Sequence, residues 1–306
     1  MVEPTGNTEE ALESVDQMRD GLGEVGYLAA ESTALVAFLA AKLGKPVLVE
    51  GPAGVGKTEL AKALSRSTGR KLIRLQCYEG LDEAKALYEW NYRKQLLRIQ
   101  VEASDAGWED VQDDIFGEEF LLTRPLLQAI VETEPVVLLI DEIDKTDQEF
   151  EAMLLEVLSD FQVSIPELGV MEAKSRPLVL LTSNNSRELT EALKRRCLYL
   201  WLDYPELERE LEIVQLHAPE LDETVARKLV EIIHMVRKLD LKKPPSIAES
   251  IDWARALLLL GAEDVDQAVL QKTMSIIVKH RTDLDVVAER VGVRLDDGLL
   301  GKAEQG

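Results

Sequence analysis

The sequence predicts an α/β domain with a mainly parallel sheet, followed by a small all-helical domain. Three observations carry this expectation. Short continuous apolar runs, "PVLVE", "PVVLLIDEID" and "PLVLLTSNN", alternate with helical patterns. Strands apolar on both faces belong to parallel sheets that helices cover on each side. From Pro205 onward strand signals largely cease and helical periodicity takes over.

The elements follow in order. Residues 1–22 are polar and acidic and are expected to form a flexible tail or a weakly held helix. Leu35, Phe38, Leu39 and Leu43 recur at helical spacing, and Gly44 with Pro46 stops that helix. "PVLVE" is a buried strand, Leu60, Ala61 and Leu64 continue a helix to Gly69, and "KLIRLQC" is a second strand. Residues 80–103 read as helical, as does "RPLLQAIVET". Between them "SDAGWEDVQDDIFGEEF" (104–120) holds seven acidic residues together with Trp108 and Phe116. These two aromatics either contact a partner or pin the loop to its own domain. Trp90 and Tyr92 read as packing or surface aromatics.

"PVVLLIDEID" is the next strand, and Thr146 with Glu149 is expected to form a capping box for the helix through Leu158. "FQVSIPELGVMEAK" (161–174) suggests a hairpin, and "PLVLLTSNN" and "CLYLWLDYP" complete the strands. The expected domains are therefore a tail (1–22), an α/β domain (23–204), a helical domain (205–290) and a C-terminal tail (291–306).

Composition narrows the function classes. With 306 residues and 46% hydrophobic content the chain can bury a full core. Its net charge of −22 opposes polyanions, so neither nucleic acid nor an anionic membrane is an expected partner. No apolar run reaches membrane-spanning length, and the N-terminus has no apolar signal core, so a soluble cytoplasmic protein is expected. Cys77 and Cys197 lie in apolar contexts without a CxxC neighbour and read as buried free thiols. His217, His234 and His280 share no metal spacing and read as helix-face residues.

The chemistry concentrates at the C-terminal ends of the apolar runs. Gly51-Pro52-Ala53-Gly54-Val55-Gly56-Lys57-Thr58 fits the phosphate-loop pattern G-x4-G-K-[ST] in a strand–loop–helix setting. Glycines let successive N–H groups point at phosphate oxygens, and the following helix adds its positive end. Lys57 would neutralise β- and γ-phosphates, and the Thr58 hydroxyl would ligate Mg2+. Glu59 follows in the same turn. Asp141 is placed to hold Mg2+ and Glu142 to polarise the water that attacks the γ-phosphate; alone, the two acids could equally cap a solvated strand end. Asp144 reads as a turn or cap residue. Asn184, preferred over Asn185, can orient the attacking water. Arg195 and Arg196 precede the last strand, where a guanidinium could reach a γ-phosphate in a neighbouring subunit; surface salt bridging is the plainer alternative.

Taken together, "GPAGVGKT", "LLIDEIDK", "LTSNN" and "LKRRC" come in one order over residues 23–285, and the chain resembles an AAA+ ATPase of the MoxR type. The resemblance implies an αβα P-loop NTPase sandwich with a helical lid, assembled into a ring, usually a hexamer. ATP and Mg2+ would sit between subunits, and Arg195 would act in trans. It places Tyr27 by the adenine, and likens 104–120 and 161–174 to inserts that face the ring's pore or its clients. It further implies a chaperone for metalloenzyme assembly or cofactor insertion, beside a von Willebrand A domain protein. "KPPSIAESIDWARALLLLG" looks closest to members associated with carbon monoxide dehydrogenase-like molybdenum enzymes. One departure stands out: where the family often carries a sensor arginine, this chain has Ser246, Ile247 and Glu249, and Arg255 lies farther on. A nucleic-acid motor or loader and a nucleotide-dependent scaffold with little turnover are the alternatives. A GTPase is disfavoured, since "IDKTD" is a poor base-reading motif.

Overall fold

The computed structural model describes residues 13–102 and 115–292. Contacts divide the chain into two units. One comprises the residues up to Gly51 with Lys57–Leu202, and the other Pro52–Gly56 with the residues from Asp203 onward. The division falls just ahead of the expected seam at Tyr204–Pro205 and assigns most of the phosphate loop to the second unit.

The first unit opens with α1 (Val15–Glu24) and α2 (Glu31–Leu43), then β1 (Val47–Glu50), α3 (Lys57–Thr68) and β2 (Lys71–Gln76). Next come α4 (Glu83–Ala86), β3 (Tyr88–Trp90), α5 (Tyr92–Glu102), β4 (Leu121–Thr123), α6 (Pro125–Val131) and β5 (Val136–Asp141). The unit closes with α7 (Gln148–Asp160), β6 (Gln162–Ile165), β7 (Gly169–Glu172), β8 (Leu178–Ser183), α8 (Glu191–Arg196) and β9 (Leu198–Trp201). Five strands form one parallel sheet in the order β2-β5-β8-β1-β9. Strand alternation sends Val47, Val49, Val137, Leu139, Leu178 and Leu180 to one face, against α1, α2 and α3. Leu48, Leu138, Ile140, Val179 and Leu181 go to the other, against α6 and α7. That is why β1, β5 and β8 are buried along their whole length and contain no exposed position.

Several local expectations are corrected. The polar N-terminus is helical from Val15, because Ser14 caps the helix through Gln17 N and because Met18 and Leu22 are buried against the sheet helices. On α2 the buried stripe is Thr33, Ala34, Ala37 and Ala40, whereas Leu35 and Leu43 are exposed. Small side chains let this helix lie close to the sheet, so leucine spacing misidentifies the face. The stretch 80–103 is not one helix: β3 pairs antiparallel with β4, and Trp90 is buried. Phe116 meets the Trp90 ring edge-on at 5.3 Å, so it packs on its own unit; Trp108 lies outside the described residues. Asp147 caps α7 through Phe150 N, in place of the expected Thr146–Glu149 box. The hairpin at 161–174 forms as β6 and β7.

The second unit is helical: α9 (Leu207–His217), α10 (Glu223–Arg237), α11 (Ile247–Leu259), α12 (Gln267–Ile277) and α13 (Arg281–Val291). His217 and His234 ride on helices, while His280 is the N-cap residue of α13. The core gathers Val214, Leu229, Ile233, Val236, Leu257 and Met274 around Trp253, which is fully buried. The indole donates Nε1–H to Thr273 Oγ1 at 2.9 Å, so its one polar atom is satisfied. Beside it Glu210, also fully buried, pairs with Arg237 and accepts Ser250 Oγ–H at 2.7 Å, with His234 Nε2 at 2.9 Å. Trp253→Ala should therefore destabilise the protein by about 3–5 kcal/mol through cavity formation. Denaturant unfolding followed by circular dichroism measures this, and a loss below about 1 kcal/mol would refute the packing role given to the indole.

Candidate functional site

In a parallel sheet the C-terminal strand ends face one crevice, and β1, β5 and β8 deliver their polar residues there. After Glu50 the chain must turn sharply beside the end of β9. A Cβ on Gly51 (φ 151°) would lie 1.9 Å from the Leu202 carbonyl oxygen, so no other residue fits without displacement. In the second unit Gly54 (φ 78°) is equally constrained, since a Cβ would lie 2.1 Å from Ser246 Cβ. Its carbonyl accepts the Ile247 N–H at 3.2 Å, and the Ala53 carbonyl accepts the Tyr204 hydroxyl at 3.1 Å.

Lys57 and Thr58 open α3 and so stand at its positive end. Lys57 is buried and donates Nζ–H to the Gly51 carbonyl at 2.7 Å. Burial pushes its pKa down, and the negative charges of Asp144, Asp141, Glu142 and Glu50 oppose that shift. Thr58 Oγ1 donates to Asp141 at 3.0 Å from Oδ1. Asp141, buried at the end of β5, also accepts Thr182 Oγ1–H at 2.6 Å on Oδ1. On Oδ2 it accepts two bonds from Arg74, at 3.1 Å from Nε and 2.6 Å from Nη2.

Glu142 has a left-handed backbone (φ 59°, ψ 50°), a costly conformation for a residue with a Cβ. Its N–H is held by Thr182 Oγ1 at 2.9 Å, so Thr182 fastens both acids at once. The turn takes the Glu142 carboxylate out of the strand's alternation. There it meets Gln76 Nε2 at 2.8 Å, Lys145 Nζ at 2.6 Å and Asn184 Nδ2 at a long 3.4 Å. Asp144, buried, accepts the N–H groups of Asn184 and Ser186 at 3.2 and 3.0 Å and the Ser186 hydroxyl at 2.6 Å, all on Oδ2. Burial raises its pKa, but the hydrogen bonds from Ser186 and Asn184 outweigh that and hold the carboxyl below the usual range. It thus anchors the loop carrying Asn184, a cross-strand role that spacing alone does not reveal. The nearby Cys77 thiol is pushed up to about 12 by burial and by Asp141, Asp144 and Glu142, which makes it a poor nucleophile.

The remaining expected residues lie as follows. Arg196 donates Nε–H to Ser159 Oγ at 2.6 Å and is tied within its own chain. Arg195 is exposed and has no side-chain partner among the described residues. Its helix α8 is anchored through Thr190, whose N–H and hydroxyl reach the buried Glu151 at 2.9 and 2.6 Å. Glu59 pairs with Lys62 and Arg66 on α3. Tyr27 follows Gly26 (φ 84°), packs against the β1-side core and titrates above its ordinary value because of burial and the Glu59 charge. Ser246 and Glu249 form a complete capping box on α11, which gives both residues a structural role there. Arg255 is exposed, about 12 Å along that helix from Ile247 at 1.5 Å per residue. Sequence reasoning missed Arg74, Gln76 and Thr182. Polar residues at alternate positions of "RLQ", and the threonine before "SNN", are the only local signals for them.

Among the described residues no cluster of three or more His, Cys, Asp or Glu is poised to hold a metal. The donors that do converge, Thr58 and Asp141, are all oxygen, which suits a hard cation completed by water and phosphate oxygens. No helix among the described residues is long and apolar enough to cross a membrane.

Comparison with known proteins bears on the family and the fold. The gas vesicle ATPase GvpN1 of Halobacterium salinarum is 25% identical over 274 residues, covering 83% of this chain and 75% of that protein. The gas vesicle ATPase GvpN of Haloferax mediterranei is 25% identical over 269 residues, covering 83% and 71%. A RuvB variant from Thermotoga maritima superposes over 92% of this chain and 86% of its own with a TM-score of 0.50 at 17% identity, which is a likeness of fold. Residues 47–200 match the family described as "ATPase family associated with various cellular activities (AAA)", and the chain belongs to that family.

Proposed function

We propose that the chain is a Mg2+-dependent ATPase of MoxR type that works as a cytoplasmic ring, a hexamer by family resemblance, and remodels a protein client. The observation that carries the ATPase reading is the meeting of Thr58 Oγ1 and Asp141 Oδ1 at 3.0 Å beside Lys57, with Glu142 turned out next to Asn184. Gly51, Pro52, Ala53, Gly54, Val55 and Gly56 with Lys57 and Thr58 bind the triphosphate, and Tyr27 lies toward the base. Thr58 and Asp141 hold Mg2+, which when bound neutralises charge on the transferring phosphoryl group. Glu142 accepts the proton of the attacking water, Asn184 orients that water, and Arg195 stabilises the γ-phosphate of a neighbouring subunit.

The client remains a matter of chemistry outside the site. Resemblance to MoxR-type chaperones favours metalloenzyme assembly or cofactor insertion with a von Willebrand A domain partner. The two gas vesicle ATPases favour a second reading, in which the client is a gas vesicle protein. A nucleic-acid motor is disfavoured by the net charge of −22. A scaffold without turnover is disfavoured because it has no use for Glu142.

Glu142→Gln should retain ATP binding while turnover falls by roughly a hundredfold or more. Phosphate release and equilibrium binding of a fluorescent ATP analogue measure the two, and undiminished turnover removes Glu142 from its role. Arg195→Ala alone should lose turnover, and mixing it with Lys57→Ala chains should restore a part by pairing intact half-sites. Assembled mixtures without any recovery would argue against action in trans.

A further inference from the structure

The first unit contains a guanidinium that nothing in the ATPase reading uses. β2 is an edge strand of the sheet and pairs with β5 so that Gln76 stands opposite Asp141. Arg74, two residues earlier and on the same face, reaches diagonally across to Asp141 Oδ2 through Nε and Nη2 at 3.1 and 2.6 Å. Its Nη2 also bonds Gln76 Oε1, and Gln76 Nε2 in turn donates to Glu142 Oε2 at 2.8 Å. The pair is asymmetric: the Arg74 side chain is 46% exposed, whereas that of Asp141 is 3% exposed. Oδ1 is already taken by Thr58 and Thr182, so Oδ2 is the oxygen Asp141 has to offer, and it lies 3.3 Å from the Thr58 hydroxyl.

We propose that Arg74 is a positioning residue that holds Asp141 Oδ2 until a divalent cation takes it, so that Mg2+ binds in competition with the protein's own guanidinium. The proposal rests on the assignment of Asp141 as a metal-holding residue. A buried carboxylate left without a counter-charge is costly, and Arg74 removes that cost in the metal-free state. Arg74 Nε and Nη2 occupy both lone-pair directions of Oδ2, and a cation there repels the guanidinium, so metal binding at Oδ2 displaces Arg74. Since Arg74 is half exposed, it can swing into water at small cost, which makes it a weak competitor rather than a lock. The observed metal affinity is then the intrinsic affinity reduced by the fraction of molecules in which Arg74 has let go. Because the same Nη2 serves Gln76, that withdrawal also frees the group that orients Glu142.

The test uses the full chain, with Mn2+ as probe and a non-hydrolysable ATP analogue at saturation, the free ion being counted by electron paramagnetic resonance. Arg74→Met should tighten Mn2+ binding by roughly three- to tenfold, and Arg74→Lys, which keeps the charge but loses the fork, should fall between. Circular dichroism melts in EDTA check that each variant is folded, and if Arg74→Met is not, Arg74→Lys decides by the same sign. Unchanged or weaker Mn2+ binding in a folded variant overturns the proposal while leaving the nucleotide site intact. A wild-type chain that binds neither the analogue nor Mn2+ overturns the ATPase reading itself, and this proposal with it.

Discussion

The arrangement of the site depends on one buried carboxylate. Asp141 ends a strand that is otherwise apolar and enclosed on both faces, and a charge there is tolerable only if its lone pairs are met. They are met from three directions: Thr58 at the head of α3, Thr182 on the neighbouring β8, and Arg74 on β2. Each donor sits on a different element, so satisfying Asp141 sets the register of α3, β8 and β2 against β5. A site built this way is as rigid as the sheet that carries it. Loss of either threonine hydroxyl would remove a hydrogen bond to a buried charge, worth about 1.5–3 kcal/mol.

The four residues of "DEID" show how one short acidic segment is divided among tasks. Asp141 stays in the strand and faces inward. Glu142 leaves it through a left-handed turn that Thr182 stabilises, and its carboxylate becomes partly exposed among Gln76, Lys145 and Asn184. Ile143 returns to the core, fully buried. Asp144 turns back under the end of β8 and holds the loop of Asn184. Three carboxylates within four residues would repel one another in an extended chain. The turn separates them, and Lys57, Arg74 and Lys145 balance them.

The central strands were legible from sequence because enclosure on both faces demands unbroken apolar runs, and the motifs followed because each sits where such a run ends. Legibility stops where partners are distant in sequence. β3 falls in a stretch that reads as helical because "YEW" is too short to display alternation, and its pairing with "LLT" of β4 is set by burial of Trp90 and Phe120. The face of α2 is misread because alanines, not leucines, make the close approach. Asp144 reads as a local cap, although its partners lie some forty positions away in the loop that follows β8. Arg74 and Gln76 are invisible as site residues for the same reason: an edge strand exposes polar side chains in any protein, and only the register with β5 gives them a target.

The helical unit sharpens the question of which arginine can serve catalysis. Arg237 is the best-buried arginine among its described residues, but it is consumed by Glu210, by the Pro245 carbonyl at 2.7 Å and by the Tyr204 ring beneath it at 4.3 Å. Removing it would strand the buried Glu210, so its role is to hold helices together. The head of α11 is occupied by a capping box that uses the Glu249 side chain. In the first unit Arg74, Arg187 and Arg196 are each committed to a partner, namely Asp141, Glu151 and Ser159. Arg195 differs in being exposed, unpaired among the described residues and mounted on a helix whose own N-terminus is tied to a buried glutamate. A guanidinium held on an anchored helix, without a side-chain partner among the described residues, suits the role proposed for Arg195.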